Sequence, residues 1–314
     1  MAGARTLICG SLAVDTIMVF PDRFGRHILP GETHVLSVSF QIGEMRREWG
    51  GCAGNIAYNL RSLGGEPVVM ATVGDDGETY LERLKAQRVA AEGVRIIPGT
   101  YTAQAFIITD LDDNQITAFH PGAMNESHRN RVGDVADIAL GIVAPDGREG
   151  MRSHLREFAA AGIPVIFDPG QGLPLFSGAE LVEMIDSADY VAVNDYEARL
   201  LEQRTGLAIE AIAQRVEALI VTRGGDGSRI HVGGKVLDIP AVPPAALVDP
   251  TGCGDAYRAG ILYGIANHWD WERTGRLASL LGSVKIASRG GQNHVVDRER
   301  IAALYRERFG QDLF

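Results

Sequence analysis

The feature that most limits the fold of this chain is a short apolar run, rich in β-branched residues, that recurs along its length. Between these runs lie segments whose apolar residues have helical spacing, such as Ile56, Leu60 and Leu63. Strands that alternate with helices form βαβ units, which build parallel sheets. The sequence therefore predicts an α/β fold with a doubly wound, mostly parallel sheet flanked by helices. The predicted strands cover residues 6–9, 68–73, 138–143, 163–167, 190–193 and 219–222.

Two regions, residues 16–41 and 102–120, interrupt this alternation. Both carry alternating polar and apolar residues with turn signals, and the second is predicted to be a hairpin that turns near the sequence DDNQ, residues 112–115. Because they are interleaved with the main fold, we expect them to form a small β lid over one edge of the sheet. Residues 1–314 would then be a single domain that carries this lid.

Composition excludes several classes of protein. The net charge is −10, from 30 basic and 40 acidic residues, and the chain has no basic stripe of the kind that binds nucleic acid. Three scattered cysteines show neither a disulfide pattern nor zinc-ligand spacing. No apolar segment reaches the roughly 18 residues that a membrane span needs. We expect a soluble, cytoplasmic protein that binds neither nucleic acid nor membrane.

The sequence DPTGCGD, residues 249–255, places glycines and a carboxylate at the start of an apolar helix. The backbone N–H groups of Gly252, Cys253 and Gly254 would lie at the helix N-terminus, where free donors and the helix dipole attract anions. Asp255 in the first turn would then be a general base beside an anion site. An acidic residue near a helix start and a glycine turn are also common structural features.

Two further stretches suggest recognition of hydroxyl groups. The sequence GGCAGN, residues 50–55, opens another helix, and the side-chain amide of Asn55 can both donate and accept hydrogen bonds. Asp15 follows the first strand, where its carboxylate could accept two hydrogen bonds from a vicinal diol. The alternatives are a helix cap for Asn55 and an ordinary exposed strand end for Asp15.

Together these three stretches resemble the ribokinase family, also called the PfkB carbohydrate kinases. The family signature GG-x-x-x-N matches residues 50–55, and D-T-x-G-x-G-D matches residues 249–255 with Pro250 in place of the usual Thr. The resemblance implies a ribokinase-like fold and ATP-dependent phosphorylation of an alcohol. It implies that Asp255 is the catalytic base. It also implies that the N–H groups of Gly252, Cys253 and Gly254 form an anion hole for the transferred phosphoryl group.

The resemblance extends to the nucleotide site. Asn194 and Glu197 match an N-x-x-E element that organises Mg²⁺ and the ATP phosphates, partly through water, although the same spacing is typical of a helix capping box. Thr222, Gly224 and Gly227 match a T-x-G-x-x-G nucleotide loop, which could also be a plain glycine-rich turn.

Residues 278–294 occupy the place of the segment that walls the adenine site in the family. Many relatives bind an activating K⁺ through backbone oxygens near this segment and near the first Asp of the second signature. Here His294 stands where a small hydroxyl residue is common, which places a requirement for K⁺ in doubt.

Residues 106–124 are similar to the lids of bacterial and archaeal adenosine and nucleoside kinases of the family. The resemblance implies that Phe106 and Phe119 sandwich a nucleobase, while Asp15, Gly51 and Asn55 hold the ribose hydroxyls. No Arg or Lys lies between residues 102 and 119 to bind a sugar phosphate. The sequence therefore predicts an ATP-dependent nucleoside kinase that accepts adenosine or a broad range of nucleosides.

Two alternatives stay open: a kinase for ribose or another sugar, and a nucleoside-binding protein without turnover. An intact Asp255 and glycine turn argue against the second. Exposed lid strands favour a homodimer that pairs through their edges.

Overall fold

The six predicted apolar runs form six of the nine strands of a large sheet in the computed structural model, which describes residues 4–28, 38–112 and 114–314. The strands are β1 (Arg5–Cys9), β2 (Ala13–Val19), β3 (Glu44–Gly50), β4 (Glu66–Val73), β5 (Ala90–Ile96), β6 (Ala103–Thr109), β7 (Gln115–His120), β8 (Ile138–Val143), β9 (Val165–Phe167), β10 (Tyr190–Asn194), β11 (Ala218–Thr222), β12 (Ser228–Val232) and β13 (Lys235–Ile239). The helices are α1 (Cys52–Ser62), α2 (Glu78–Ala86), α3 (Arg148–Ala161), α4 (Gly178–Asp186), α5 (Asp195–Thr205), α6 (Ile209–Ala213), α7 (Cys253–Ala266), α8 (Trp271–Ile286) and α9 (Arg298–Phe309).

The main sheet has nine strands in the order β13-β12-β11-β10-β9-β8-β1-β4-β5. All neighbours from β11 to β5 are parallel, and the last two strands, β12 and β13, are antiparallel. Strand order runs outward from β1 in both directions along the chain. The doubly wound, mostly parallel α/β fold is therefore confirmed.

Helices cover both faces of the main sheet. Alternate residues of β1 enter different cores: Ile8 packs on one face, while Leu7 and Cys9 pack on the other. Helices α1, α7, α8 and α9 contribute to the first core, and α3, α4 and α5 to the second. This alternation is the period of two expected of a strand buried on both sides. Within the described ranges, no helix is long and apolar enough to cross a membrane.

A second sheet, the lid, has four strands in the order β3-β2-β6-β7. Strands β2 and β6 are parallel, and the other two pairs are antiparallel. The hairpin of β6 and β7 agrees with the predicted region, but β3 lies beyond the predicted limit at residue 41. Its sequence, EMRREWG, is dense in charge and shows little apolar alternation. Residues 29–37 of the predicted lid, and Asp113 of the predicted turn, lie outside the described residues.

The strand order reverses between β1 and β8, whose carboxyl ends lie side by side. Just beyond them, the Ser11 N–H donates to the carbonyl of Pro145 at 3.1 Å. In doubly wound sheets, ligands bind in the crevice at such a switch point, outside the carboxyl ends of the strands. The lid strands β2 and β3 join the main domain at this place, because β2 begins soon after β1 ends and α1 follows β3 directly.

Candidate active site

The turn before α7 is held in a defined shape by its own backbone. Gly252 has a φ of +78°, a left-handed conformation that favours glycine. The carboxylate of Asp249 accepts the Thr251 N–H at 2.9 Å. The Cys253 N–H donates to the Pro250 carbonyl at 3.1 Å. Cys253, predicted as one of three anion donors, therefore uses its N–H inside the turn.

Other donors of this turn are free. In the part of the chain that the structure describes, the N–H groups of Gly252, Gly254 and Asp255 form no hydrogen bond. A Cβ placed on Gly254 would meet no atom within 4 Å, so this residue faces open space. The start of α7 can therefore bind an anion through Gly252, Gly254 and Asp255, a set that differs from the predicted one by one residue.

Asp255 is partly buried in the first turn of α7, and its Oδ2 accepts a hydrogen bond of 2.8 Å from Asn55 Nδ2. Burial raises the pKa of Asp255 to about 6, and the Asn55 amide opposes part of that rise. Such a carboxylate is mostly ionised at neutral pH and is more basic than an ordinary Asp. Both properties suit a general base.

The orientation of the Asn55 amide is set by a chain of hydrogen bonds. Gln292 Nε2 donates to Asn55 Oδ1 at 3.2 Å, and Arg83 Nε donates to Gln292 Oε1 at 3.0 Å. A guanidinium has donors only, so the Gln292 oxygen faces Arg83 and its NH₂ faces Asn55. Asn55 must then turn its own NH₂ toward Asp255. The chain is buried, since Asn55 and Gln292 are 4% and 3% exposed.

Gln292 was not predicted as part of this site. Residues 278–294 are predicted to wall the adenine site, whereas the structure brings Gly291 and Gln292 against Asn55. A Cβ on Gly291 would lie 2.4 Å from Asn55 Oδ1, so only glycine allows this approach. The glycine pair at residues 290–291 was the one sequence signal for this contact, but Asn55, the residue contacted, lies more than 200 positions away in the chain.

Asp15 lies on β2 beside the glycine pair that precedes α1. Its carboxylate is so close to Gly50 that a Cβ there would lie 2.6 Å from Asp15 Oδ2. Burial raises the pKa of Asp15 to about 6, and the carboxylates of Glu48 and Asp249 add to the rise. Hydroxyl groups that donate to this carboxylate would stabilise its charged form.

Gly51 has a φ of +86°, and a Cβ there would lie 2.4 Å from the Ser11 carbonyl oxygen. Glycine at this position therefore lets the helix start pack on the backbone after β1. This contact explains the glycine without a ligand, although it also brings the start of α1 to the switch point.

The two aromatic residues predicted to sandwich a base lie on opposite faces of the lid. Ala105 pairs with Phe119 across β6 and β7, and Phe106 pairs with Ala118. Because paired residues share a face and successive residues alternate, Phe106 and Phe119 point in opposite directions. Asp15 pairs with Ala105, which places Asp15 and Phe119 on one face. The predicted sandwich is therefore wrong within one chain: only Phe119 lies on the face of Asp15.

Asn194 and Glu197 form the capping box that the sequence offered as an alternative. The Asn194 side chain accepts the Glu197 N–H, and Glu197 Oε2 accepts the Asn194 N–H, both at 2.8 Å. Glu197 Oε1 is not used in these bonds. Burial raises the pKa of Glu197; the Asn194 N–H opposes this, and the Asp168 charge adds to it.

Mg²⁺ is commonly held by one or two carboxylates together with water and substrate phosphates, so one carboxylate oxygen beside an amide fits this ion. In residues 4–28, 38–112 and 114–314, no group of three His, Cys, Asp or Glu side chains could hold a metal ion by itself.

The predicted nucleotide loop of Thr222, Gly224 and Gly227 begins beside this capping box. Thr222 pairs with Asn194 across β10 and β11, so both residues end their strands at the same edge. Gly224 has a φ of +54° and open space around it, which suits close approach of a ligand. Gly227 instead packs on β13, because a Cβ there would lie 2.1 Å from the Ile239 carbonyl oxygen. Gly227 thus has a structural reason for being glycine.

A buried ion pair lies near both Asp255 and Glu197, and no local sequence pattern predicted it. Arg258 of α7 donates to both oxygens of Asp168, at 3.0 and 3.3 Å. The two side chains are 5% and 7% exposed. Besides burial, the Asp168 charge raises the pKa of both Asp255 and Glu197, and the Arg258 guanidinium lowers it by a smaller amount. The ion pair therefore supplies no net positive charge to either carboxylate.

A basic carboxylate beside free backbone donors suits the transfer of a phosphoryl group to a hydroxyl. The chain is an ATP-dependent phosphotransferase that acts on a hydroxyl group. The sequence profile described as "pfkB family carbohydrate kinase" matches residues 21–298. The chain therefore belongs to the pfkB family of carbohydrate kinases, as the sequence predicted.

Individual relatives differ in the acceptor that they phosphorylate. The chain is similar to a solved structure of Burkholderia thailandensis nucleoside kinase in complex with inosine, with 53% identity, a TM-score of 0.89, and coverage of 98% of this chain and 99% of the other. It is 29% identical to the nucleoside kinase of Methanocaldococcus jannaschii over 84% of this chain and 88% of that protein. It is also 30% identical to an ATP-dependent ribose-1-phosphate kinase of Halopiger xanaduensis, over 85% and 90%.

Proposed function

We propose that this phosphotransferase transfers the terminal phosphoryl group of ATP to the 5′-hydroxyl of a nucleoside. The observation that carries the proposal is the acceptor face of the lid, where Asp15 and Phe119 lie on strands separated only by β6. Two strand spacings of ~4.8 Å place them roughly 10 Å apart. A carboxylate for the ribose diol and a ring for the base thus lie side by side.

The same face is poor in free positive charge. Among its residues in the four lid strands, Arg46 is the one basic side chain, and its Nε lies 3.4 Å from Glu48 Oε1. A phosphorylated sugar would need an unpaired Arg or Lys here. The nucleoside kinases among the relatives, one of them solved with inosine, support the same acceptor class.

The chemical step in this proposal uses the start of α7. Asp255 takes the proton of the 5′-hydroxyl as the hydroxyl oxygen forms a bond to the γ-phosphorus of ATP, while the bond from that phosphorus to the bridging oxygen breaks and ADP leaves. Asn55 holds the carboxylate in position. The N–H groups of Gly252, Gly254 and Asp255 meet the charge that develops on the phosphoryl oxygens. Glu197 and Asn194 would hold Mg²⁺ with water and phosphate oxygens, and the ion would neutralise charge on ATP.

The proposed range of acceptors is broad and includes adenosine, because stacking on a ring such as Phe119 tolerates every base. The test is kcat/KM with Mg·ATP for adenosine, inosine, guanosine, cytidine, ribose and a hexose. Efficient turnover of several nucleosides is expected. Protein that phosphorylates ribose and ignores all nucleosides would refute the acceptor and leave the phosphotransferase class intact.

Asp255→Asn tests the proposed base separately. This isosteric variant should lower kcat by at least ~10²-fold with little change in nucleoside affinity, because Asp255 acts on the reacting proton. Near-normal turnover would remove the mechanism.

Two other candidates are tested by the same assays. A sugar or sugar-phosphate kinase is favoured by the similarity to the ribose-1-phosphate kinase, and it would show in the acceptor panel. A nucleoside-binding protein without turnover would bind nucleoside in calorimetry and show no ATP consumption.

We further propose a homodimer. Strands β3 and β7 end the lid sheet on either side, and the lid face opposite Asp15 carries the exposed side chains of Met45, Phe106 and Ile116. Light scattering after size exclusion gives the mass in solution, and a monomer would refute this proposal.

A further inference from the structure

Lys285 lies one residue before the end of α8, and its side chain is completely buried. Its Nζ donates to two backbone carbonyls, those of Asp249 at 2.7 Å and Ser288 at 3.0 Å. The first carbonyl belongs to the residue that opens the turn before α7. The second belongs to the loop that leads to Gly290 and Gln292. A lysine is rarely buried without a specific partner, so this contact calls for an explanation.

Two carboxylates near Lys285 balance its charge. Burial lowers the pKa of Lys285, and the Asp249 carboxylate opposes this, with a smaller effect from the Asp255 carboxylate. Burial also acts to raise the pKa of Asp249, but the N–H groups of Gly290 and Thr251 hold it below its usual value. Burial and the Lys285 charge lower the pKa of His294 to about 4, so that this imidazole is neutral. Burial raises the pKa of the Cys253 thiol to about 11.

The resemblance to the ribokinase family implies a K⁺ bound by backbone oxygens in this region. The residues of this chain do not fit that ion. The carbonyl oxygens of Asp249 and Ser288 already accept hydrogen bonds from Lys285, and a cation bound to them would lie a few ångströms from an ammonium. At such a distance the repulsion is severe in a buried site.

We propose that the Lys285 ammonium is a built-in monovalent cation, which makes the phosphotransferase independent of K⁺. Nζ joins the turn before α7 to the loop after α8, and the Asp249 carboxylate repeats the connection through the Gly290 N–H at 2.8 Å. The ammonium therefore fixes the Gly252 and Gly254 donors relative to the loop that positions Asn55. The inference rests on the family and not on the nucleoside as acceptor.

The first test uses the wild-type protein. We expect kcat with any accepted substrate to be the same, within about twofold, in KCl, NaCl and tetramethylammonium chloride of equal ionic strength. The melting temperature should likewise not depend on which of these salts is present. Activation by K⁺ of roughly tenfold or more would overturn the proposal.

The second test removes the ammonium. Lys285→Met retains a long unbranched side chain but has no ammonium group. The matched control is Lys235→Met, in the exposed hairpin of β12 and β13. In tetramethylammonium the first variant should lose at least about tenfold in kcat, and K⁺ or NH₄⁺ should restore activity and raise its melting temperature. The control should show neither effect.

Three results would contradict the proposal. They are full activity of Lys285→Met without a small cation, a loss that no cation restores in a folded variant, and a wild-type response to K⁺. If Lys285→Met does not fold, the salt comparison on the wild-type protein decides. Melting temperatures do not involve the acceptor, so failure here is distinct from failure of the nucleoside assignment.

Discussion

Asn55 and Asp255 are 200 positions apart in the chain, yet Asn55 Nδ2 lies 2.8 Å from Asp255 Oδ2. Asn55 lies in the first turn of α1, the helix that follows the lid strand β3, and Asp255 lies in the first turn of α7. The contact means that the proposed base is oriented by a helix other than its own. Changes in Asn55 or its supports should therefore alter the ionisation of Asp255 without removing the carboxylate.

The raised pKa of Asp255 predicts that kcat falls at acid pH, which gives the pH–rate profile an acid limb. Its folded pKa of about 6 lies above the ordinary value of 3.8, so the base is lost as pH falls through about 6. We expect kcat at saturating nucleoside to fall about tenfold per pH unit below that value. Asp15 has a similar pKa and should affect KM instead. A kcat that is flat down to about pH 4.5 would exclude a raised Asp255 pKa as the controlling group.

The same pKa predicts a stability effect with a definite sign. A carboxyl whose folded pKa is raised destabilises the protein once it ionises, and this cost is absent below the unfolded pKa of 3.8 and complete above about 6. Asp255→Asn should therefore melt at a higher temperature than wild type at pH 7.5, and the difference should vanish near pH 4. Calorimetry at both pH values measures it. A variant that is less stable at both would contradict the assignment.

Gln292→Glu tests the chain that orients Asn55. Glutamate keeps the size of Gln292 but presents an acceptor to Asn55 Oδ1, so the Asn55 amide should turn and withdraw its N–H from Asp255. We expect the acid limb of kcat to move to higher pH and kcat at neutral pH to fall by about tenfold.

Ala86→Glu is the control for this experiment, because Ala86 is exposed at the end of α2, the helix that carries Arg83, and has no side-chain hydrogen-bonding group. It introduces the same charge nearby and should leave the limb in place. Equal shifts in both variants would show a general charge effect instead of amide orientation.

Phe119→Ala tests whether the lid holds a base. Loss of a stack should weaken nucleoside binding by ~1–3 kcal/mol, while activity on free ribose, which has no base, should barely change. Phe106→Ala is the matched control, since Phe106 points to the opposite face. KM for each acceptor is the measurement. If Phe106→Ala weakens nucleoside binding more than Phe119→Ala does, Phe106 and not Phe119 contacts the base.

Glu197→Gln separates the metal role from the cap. Glutamine can still accept the Asn194 N–H, so the capping box and the melting temperature should be kept. The Mg²⁺ concentration that gives half-maximal rate should rise severalfold, because a charged ligand is lost. Lower stability with unchanged Mg²⁺ dependence would leave only the structural role.

The local sequence predicted the fold more completely than it predicted the candidate site. Six of the nine strands of the main sheet were predicted from apolar runs, because a strand buried on both faces is apolar throughout. Strands β5, β12 and β13, which lie toward the edges of this sheet, were not predicted. Strand β3 was not predicted, because its sequence, EMRREWG, has mixed charges and one exposed face. For Asn194 and Glu197 the sequence offered both a cap and a metal role, and the cap is formed.

Contacts between distant segments could not be read locally. Gln292 and Arg258 meet their partners only after the chain has folded, at separations of 237 and 90 residues. The faces of Phe106 and Phe119 depend on the register of a hairpin, which no composition argument provides. Similarity to nucleoside kinases pointed to Phe106 and Phe119 as base contacts, but it did not determine which of the two rings lies on the face of Asp15.

That register has an evolutionary consequence. The pleat has a period of two, so inserting or deleting one residue in the turn between β6 and β7 exchanges every side chain of β7 between the faces. Phe119 would turn outward, and Ala118 and His120 would face Asp15. The repertoire of acceptors in a lineage can therefore change through a single codon gained or lost in this turn. The start of α7, where we propose that the chemistry occurs, would keep its sequence throughout.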